Sequence, residues 1–173
     1  ENNLMRTDTA SGVSTTFEYD SYGNPTSAST FNHPFETAIY NNREYVLINK
    51  KSGMVMDICG VTEGEDRLGK RIIQYNNKRH IYQKFVVKPH PTNTACKMIE
   101  PVYQQEAYAG NPLHLGFIDA MGNTLTQMAQ GDYAFRFIKN SDGSYRIRNE
   151  EKGWYLGVQY ASTDAYTSII GDR

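Results

Sequence analysis

Several things are scarce in this 173-residue sequence. It has no apolar run of the roughly 20 residues that a membrane-spanning helix needs. It does not open with the basic-then-apolar pattern of a signal peptide. Glu1-Asn2-Asn3-Leu4 instead reads like the interior of a longer protein. Charge of one sign is lacking too: 18 Lys and Arg face 19 Asp and Glu, a formal charge of -1. That balance argues against nucleic acid or an anionic membrane as the main partner. There are only two cysteines, Cys59 and Cys96. They suit a disulfide or two small, mostly buried thiols, and the thiol reading is favoured.

The lack of catalytic and metal patterns excludes more. His33, His80, His90 and His114 have no close His/Cys metal spacing, and Cys59 with His80 has no nucleophile motif around it. Gly64 to Lys70 has phosphate-loop spacing, but Arg71 stands where a hydroxyl would bind magnesium, and Glu65 and Asp66 would repel phosphate. Glu63, Glu65 and Asp66 lack the alternating ligands of a calcium loop and read as a solvated acidic loop. No catalytic set, metal or cofactor is expected.

What is abundant is tyrosine, 13 residues against one tryptophan, with many Thr, Asn and Gly, a composition of strands and loops. Between Tyr45 and Val87 four short runs, Tyr45–Ile48, Met54–Ile58, Arg71–Tyr75 and Gln83–Val87, are rich in β-branched and aromatic residues. Such side chains fit a pleated, half-buried surface, and no window there has helical spacing. Lys50-Lys51-Ser52-Gly53 suits a hairpin turn. The stretch predicts a four-stranded unit of about forty residues, a plausible repeat length.

In its motifs the stretch resembles one lobe of the ricin-type β-trefoil lectins. These are Tyr45-Val46-Leu47-Ile48-Asn49, the turn Ser52-Gly53, Val55-Met56-Asp57-Ile58, Ile73-Gln74-Tyr75 and the closing Gln83-Lys84-Phe85, with Phe in place of Trp. A second lobe is expected from Lys97-Met98-Ile99, through Pro112–Gly116 and Leu125–Met128, to Phe135–Ile138. A third runs from Ser144–Asn149 through Trp154–Val158 to Ser168-Ile169-Ile170 and lacks a closing strand. The expectation is an all-β protein whose residues 35–173 form a β-trefoil of three four-stranded lobes, the third truncated (lobes about 45–90, 95–140 and 144–173). One such lobe cannot bury its own apolar face, whereas three around a pseudo-threefold axis can. The missing strand would come from beyond Arg173 or from Thr15–Tyr19.

Residues 1–34 are rich in Thr, Ser, Gly and Asn. The kernel Tyr19-Asp20-Ser21-Tyr22-Gly23-Asn24-Pro25-Thr26 resembles the tyrosine-aspartate (YD, or Rhs) repeat of large bacterial surface and toxin proteins, and it predicts a β-hairpin-like extension. The resemblance implies a secreted or cell-surface bacterial setting within a larger polypeptide, without membrane insertion.

A shallow sugar site needs a carboxylate or amide that accepts from hydroxyls and an aromatic face against the ring's C–H side. The lectin resemblance assigns these roles in lobe one to Asp57 and Tyr75. Gln83 holds the carboxylate from behind, Tyr82 stands where an Asn is usual, and Asn77, with Asn76 and Lys78, lies near enough to compensate. In lobes two and three the Asp position reads as His114 and Gly157, so at most one such site is expected. Three functions remain open: a carbohydrate-binding module for galactose-type or cell-wall glycans, a structural or protein-interaction trefoil with degenerate sites, and a glycosidase. The last would need two carboxylates at a set separation, and no enzyme activity is expected.

Overall fold

The computed structural model describes residues 5–8, 13–19, 25–32, 39–60, 68–103, 112–117, 122–128 and 133–173. The chain forms two compact units, residues 1–38 and 39–173. Among the described residues there is no α-helix, so none is long and apolar enough to cross a membrane. The acidic loop Gly64–Arg67 and the turn at Gly23-Asn24 lie outside the described residues.

The first unit is a three-stranded antiparallel sheet of β1 (Met5–Asp8), β2 (Val13–Tyr19) and β3 (Pro25–Asn32). It is thus a hairpin with one further strand. β2 is central, with Thr16 opposite Arg6 on one side and Ser29 on the other. Ser14–Phe17 are paired on both edges inside this sheet, so the Thr15–Phe17 part of the expected Thr15–Tyr19 strand has no ladder left to offer another sheet.

The second unit repeats one pattern three times. Lobe one is β4 (Arg43–Tyr45), β5 (Val55–Ile58), β6 (Ile72–Tyr75) and β7 (Phe85–Pro89). Lobe two is β8 (Lys97–Pro101), β9 (His114–Gly116), β10 (Thr126–Met128) and β11 (Phe135–Lys139). Lobe three is β12 (Tyr145–Asn149), β13 (Tyr155–Val158) and β14 (Ile169–Asp172). Two antiparallel hairpins, β5–β6 and β9–β10, stand apart from a seven-stranded sheet in the order β14-β13-β12-β11-β8-β7-β4.

Local chemistry repeats with the strands. Asn49 N donates to Met54 O at 2.8 Å and Asn149 N to Trp154 O at 2.7 Å. The Asn49 Oδ1 accepts from Lys51 N and the Asn149 Oδ1 from Lys152 N, each at 2.8 Å. An Asn side chain that bonds its own following backbone is a turn device. Each turn ends on a glycine in the left-handed region, Gly53 at φ 70° and Gly153 at φ 71°, where a Cβ would be strained.

Around the pseudo-threefold axis the third strands bond one another. Ile72 N donates to Leu125 O at 2.8 Å and Leu125 N to Ile169 O at 2.9 Å. Their side chains form the core with Met56, Ile58, Phe85, Ile99, Leu115, Phe117 and Phe135. Burying this apolar surface holds the lobes together at roughly 25 cal/mol per Å².

Strand register corrects one expectation. Asp57 lies opposite Ile73 in β5–β6, Gly116 opposite Thr126 in β9–β10, and Gly157 opposite Ile170 in β13–β14. Met56, Leu115 and Leu156 are equivalent inward residues. The counterpart of Asp57 in lobe two is therefore Gly116, and His114 matches Val55. The alternation of a strand was read two residues out, a shift that keeps every side chain on its expected face and so leaves no mark in the hydrophobic pattern.

Candidate binding site

Lobe one gathers the polar and aromatic residues expected of a site. Asp57 projects from β5, half-buried. Gln83, 1 % exposed, ends the 3₁₀ turn Ile81–Gln83 just before β7. Its amide nitrogen donates to Asp57 Oδ2 at 2.6 Å and to Asn76 O at 2.9 Å, and its Oε1 accepts from Lys78 N at 2.8 Å. All the polar atoms of this buried amide are engaged, as burial demands. Asn76 and Lys78 thus contribute backbone groups to Gln83.

Burial pushes the Asp57 carboxyl above its ordinary 3.8, against the Gln83 hydrogen bond, the His80 ring and the Ile58 amide, which favour the charged form. Losing water destabilises the carboxylate more than those partners restore.

Tyr75 ends β6 two residues beyond Ile73, the partner of Asp57. Its ring lies 4.6 Å from that of Tyr166, tilted by 49°, and Tyr166 Oη donates to Tyr75 Oη at 3.3 Å. Tyr166 is 60 % exposed and sits at φ 63°, a costly conformation for a residue with a bulky side chain. Its phenol is raised above 10.0 by the Tyr75 hydrogen bond first and, more weakly, by the charge of Asp57. Lobe three thus adds an aromatic surface to lobe one. Nothing in the spacing within lobe one could have signalled Tyr166.

Gln74 makes that junction. It is 0 % exposed, accepts from Ser52 Oγ at 2.9 Å, and donates to the carbonyls of Ser162 at 3.1 Å and Asp164 at 2.7 Å. Its backbone pairs with Thr167 and Tyr166. The other expected residues lie on the flank. Asn77 Oδ1 accepts from Arg79 N at 3.0 Å, shaping the turn. The Tyr82 ring packs edge-on to Tyr103 at 5.4 Å and nearly parallel to His80 at 6.4 Å.

Lobe two buries an ionic cluster around His114, at the position of Val55 and not of Asp57. Glu100, 5 % exposed, pairs with Lys88 Nζ at 2.5 Å, and His114 Nδ1 stands 3.4 Å away. Burial alone would raise the Glu100 carboxyl, but His114 and Lys88 together hold it below 4.5. Tyr133, two residues before Phe135 as Gln83 is before Phe85, packs on His114 at 4.9 Å. Among the described residues no His, Cys, Asp or Glu group could hold a metal, and Cys59 and Cys96 are free thiols.

Comparison with known proteins agrees with both units. The RHS repeat family model matches residues 1–33. A search of curated proteins returned no match. Among solved structures, the designed 3-fold symmetric protein ThreeFoil is 19% identical, with a TM-score of 0.59 over 74% of this chain and 87% of that one. The Macrolepiota procera ricin B-like lectin in complex with lactose is 16% identical, with a TM-score of 0.55 over 78% and 88%. A mosquitocidal holotoxin is 19% identical, with a TM-score of 0.63 over 87% of this chain but 17% of its own. The chain therefore joins an RHS-repeat segment to a domain with the β-trefoil fold.

Proposed function

We propose that residues 39–173 are a carbohydrate-binding, lectin-like module of a larger secreted or cell-surface protein of the RHS-repeat type. Lobe one would bind galactose-type or cell-wall glycans. The observation that carries this reading is the Gln83–Asp57 pair at 2.6 Å, set beside the tilted ring pair of Tyr75 and Tyr166. A carboxylate fixed from behind can accept from two vicinal hydroxyls, while an aromatic face covers the apolar side of a sugar ring. The lactose named for the Macrolepiota procera lectin and the toxin named among the similar structures support the ligand class and the setting. Such a site has few buried contacts, so affinity for a monosaccharide should be about 0.1–1 mM, with avidity needed for tight attachment. The module is proposed to have no enzymatic activity of its own, and chromogenic glycosides should remain uncleaved.

A galactose and lactose titration followed by NMR, run beside Asp57→Ala, tests the reading. Saturable shifts that vanish in the variant are expected. Identical shifts in both proteins would remove lobe one as the site. A second reading, a structural or protein-interaction trefoil, draws on Gly116 and Gly157, which leave lobes two and three without a carboxylate at this position. Silence toward every glycan would favour it.

A further inference from the structure

Around the pseudo-threefold axis Ile73 bridges Ser168, Thr126 bridges Arg71 and Ile170 bridges Thr124. Arg71, Thr124 and Ser168 are therefore equivalent, and so are the residues two places before them: Gly69, Gly122 and Tyr166. All three sit in the left-handed region, at φ 76°, 59° and 63°. The fold asks for that conformation at this place in every lobe, and glycine adopts it with no Cβ to clash. Lobes one and two use glycine. Lobe three holds a tyrosine there, a bulky residue for which the region is costly.

The strained segment is tied to lobe one from several sides. Tyr166 N donates to Gln74 O at 2.9 Å and Gln74 N to Thr167 O at 2.8 Å. The Gln74 side chain holds the carbonyls of Ser162 and Asp164, and Lys51 Nζ donates to Ala161 O at 2.8 Å. Within the loop, Thr167 Oγ1 donates to Asp164 O at 2.8 Å. A conformation that costs free energy persists where its surroundings over-determine it, and such places cluster at ligand clamps.

The tyrosine stands beside the lobe that keeps a carboxylate. Gly69 adjoins the third strand of lobe two and Gly122 that of lobe three, and the partner strands there carry Gly116 and Gly157 where lobe one has Asp57. A Cβ at Gly69 or Gly122 would meet nothing within 4 Å, so this position faces open space and packing does not call for a side chain. Tyr75 is half-buried, whereas Tyr166 is 60 % exposed. Their centroids are 4.6 Å apart, the near end of the range for packed rings. Rings that close cannot lie side by side, so Tyr166 covers part of Tyr75 and is the outer of the two. Its hydroxyl bonds Tyr75 and lies within electrostatic reach of Cys59 and Asp57.

We propose that Tyr166, and not Tyr75, presents the aromatic face that receives the sugar, so that lobe one takes the apolar half of its site from lobe three. The inference rests on the reading of Asp57 as the acceptor of sugar hydroxyls. Tyr75 is then the support that sets the tilt of the Tyr166 ring. The ligand is a pyranose with vicinal hydroxyls toward Asp57 and its C–H face toward the loop of lobe three.

The test titrates lactose into residues 1–173 as wild type, Tyr166→Phe and Tyr166→Asn, beside Asp57→Ala. Magnetisation transfer between tyrosine ring hydrogens and sugar C–H hydrogens is read in the wild type. Asparagine tolerates the left-handed region, so Tyr166→Asn removes the ring without adding strain. Affinity should fall about tenfold or more in Tyr166→Asn and stay within about threefold in Tyr166→Phe, which keeps the face. Transfer should run from the Tyr166 ring. Undiminished or tighter binding by Tyr166→Asn, while Asp57→Ala binds nothing, would overturn the role of Tyr166 alone and make it a cover over Tyr75. Equal losses in the Phe and Asn variants would overturn it as well, by assigning the effect to the hydroxyl. Should Tyr166→Asn fail to fold, the wild-type transfer decides, and transfer from Tyr75 alone returns the face to that residue. Silence of the wild type toward lactose and cell-wall glycans would remove this inference together with the reading of Asp57.

Discussion

The Gln83 amide nitrogen donates to the Asp57 carboxylate at 2.6 Å while its Oε1 accepts from the Lys78 amide at 2.8 Å. One buried side chain thus ties the carboxylate of β5 to the loop that leads into β7. The two residues should respond differently to truncation. Gln83→Ala leaves the Lys78 N–H and the Asn76 carbonyl without their partner, and should cost about 2–3 kcal/mol of stability. Asp57→Ala removes a desolvated charge and leaves Gln83 bonded to Asn76, so stability should change by less than about 1 kcal/mol while glycan binding is lost. Urea unfolding of both variants reads the difference, and equal losses would show that Asp57 is part of the frame and not of a site.

Acid should weaken binding sooner than for an ordinary aspartate. Burial places the Asp57 carboxyl above 3.8, and the ionised form accepts from hydroxyls more strongly than the protonated one. Affinity should fall as pH drops through that raised value. The stability contribution of Asp57 runs the other way: the native state holds the proton more tightly, so stability declines as pH rises from 3.8 through the raised value. Glu100, held below 4.5, contributes stability that is present above 4.5 and lost as pH falls through its lowered value. Lactose titrations across the acid range, with thermal melts of Asp57→Asn, separate the three. Affinity unchanged down past pH 3.8 would contradict the role given to the carboxylate.

Residues in direct local patterns were the legible ones. The alternation in Val55–Ile58 and Ile72–Tyr75, the Ser52-Gly53 turn and the recurrence from Ser144 to Asn149 each express chemistry within a few residues, and the three-lobed fold follows from them. Pairing across 20 or more residues was harder. The Asp57–Gln83 contact could be anticipated only through the lectin resemblance, and Tyr166 not at all, because it approaches Tyr75 from 91 residues away. The placing of His114 at the lobe-two position of Asp57 failed because alternation alone cannot distinguish a strand from the same strand displaced by two. The fate of Thr15–Tyr19 depended on which ladder it joined, a choice its own residues do not encode.

Gln74 should behave as the clasp between lobes one and three. It engages Ser52, Ser162 and Asp164 from a fully buried position, so Gln74→Ala strands two carbonyls and should cost about 2–4 kcal/mol. The loop from Gln159 to Thr167 carries Tyr166, so the same change should loosen the aromatic surface beside Asp57. Amide exchange of residues 162–167 is expected to quicken with a weaker lactose response. Faster global unfolding without a local change at 162–167 would mean that Gln74 supports the core alone.

Gly171 occupies in lobe three the position of Gln74, and the reason is steric. A Cβ there would meet Trp154 Cε3 at 2.6 Å, Trp154 Cβ at 3.0 Å and Phe117 Cζ at 3.0 Å. The Trp154 and Phe117 rings pack edge to face at 5.3 Å, so neither ring can retreat without disturbing the other. Gly171→Ala should therefore destabilise the domain by about 1–3 kcal/mol through overpacking, although alanine normally favours folding over glycine by restricting the unfolded chain. Trp154→Phe in the same protein opens space beside residue 171 and should recover part of that loss. Thermal melts of the two single variants and the double variant form the cycle that measures it. Additive losses would show that the ring contact does not set the choice of glycine.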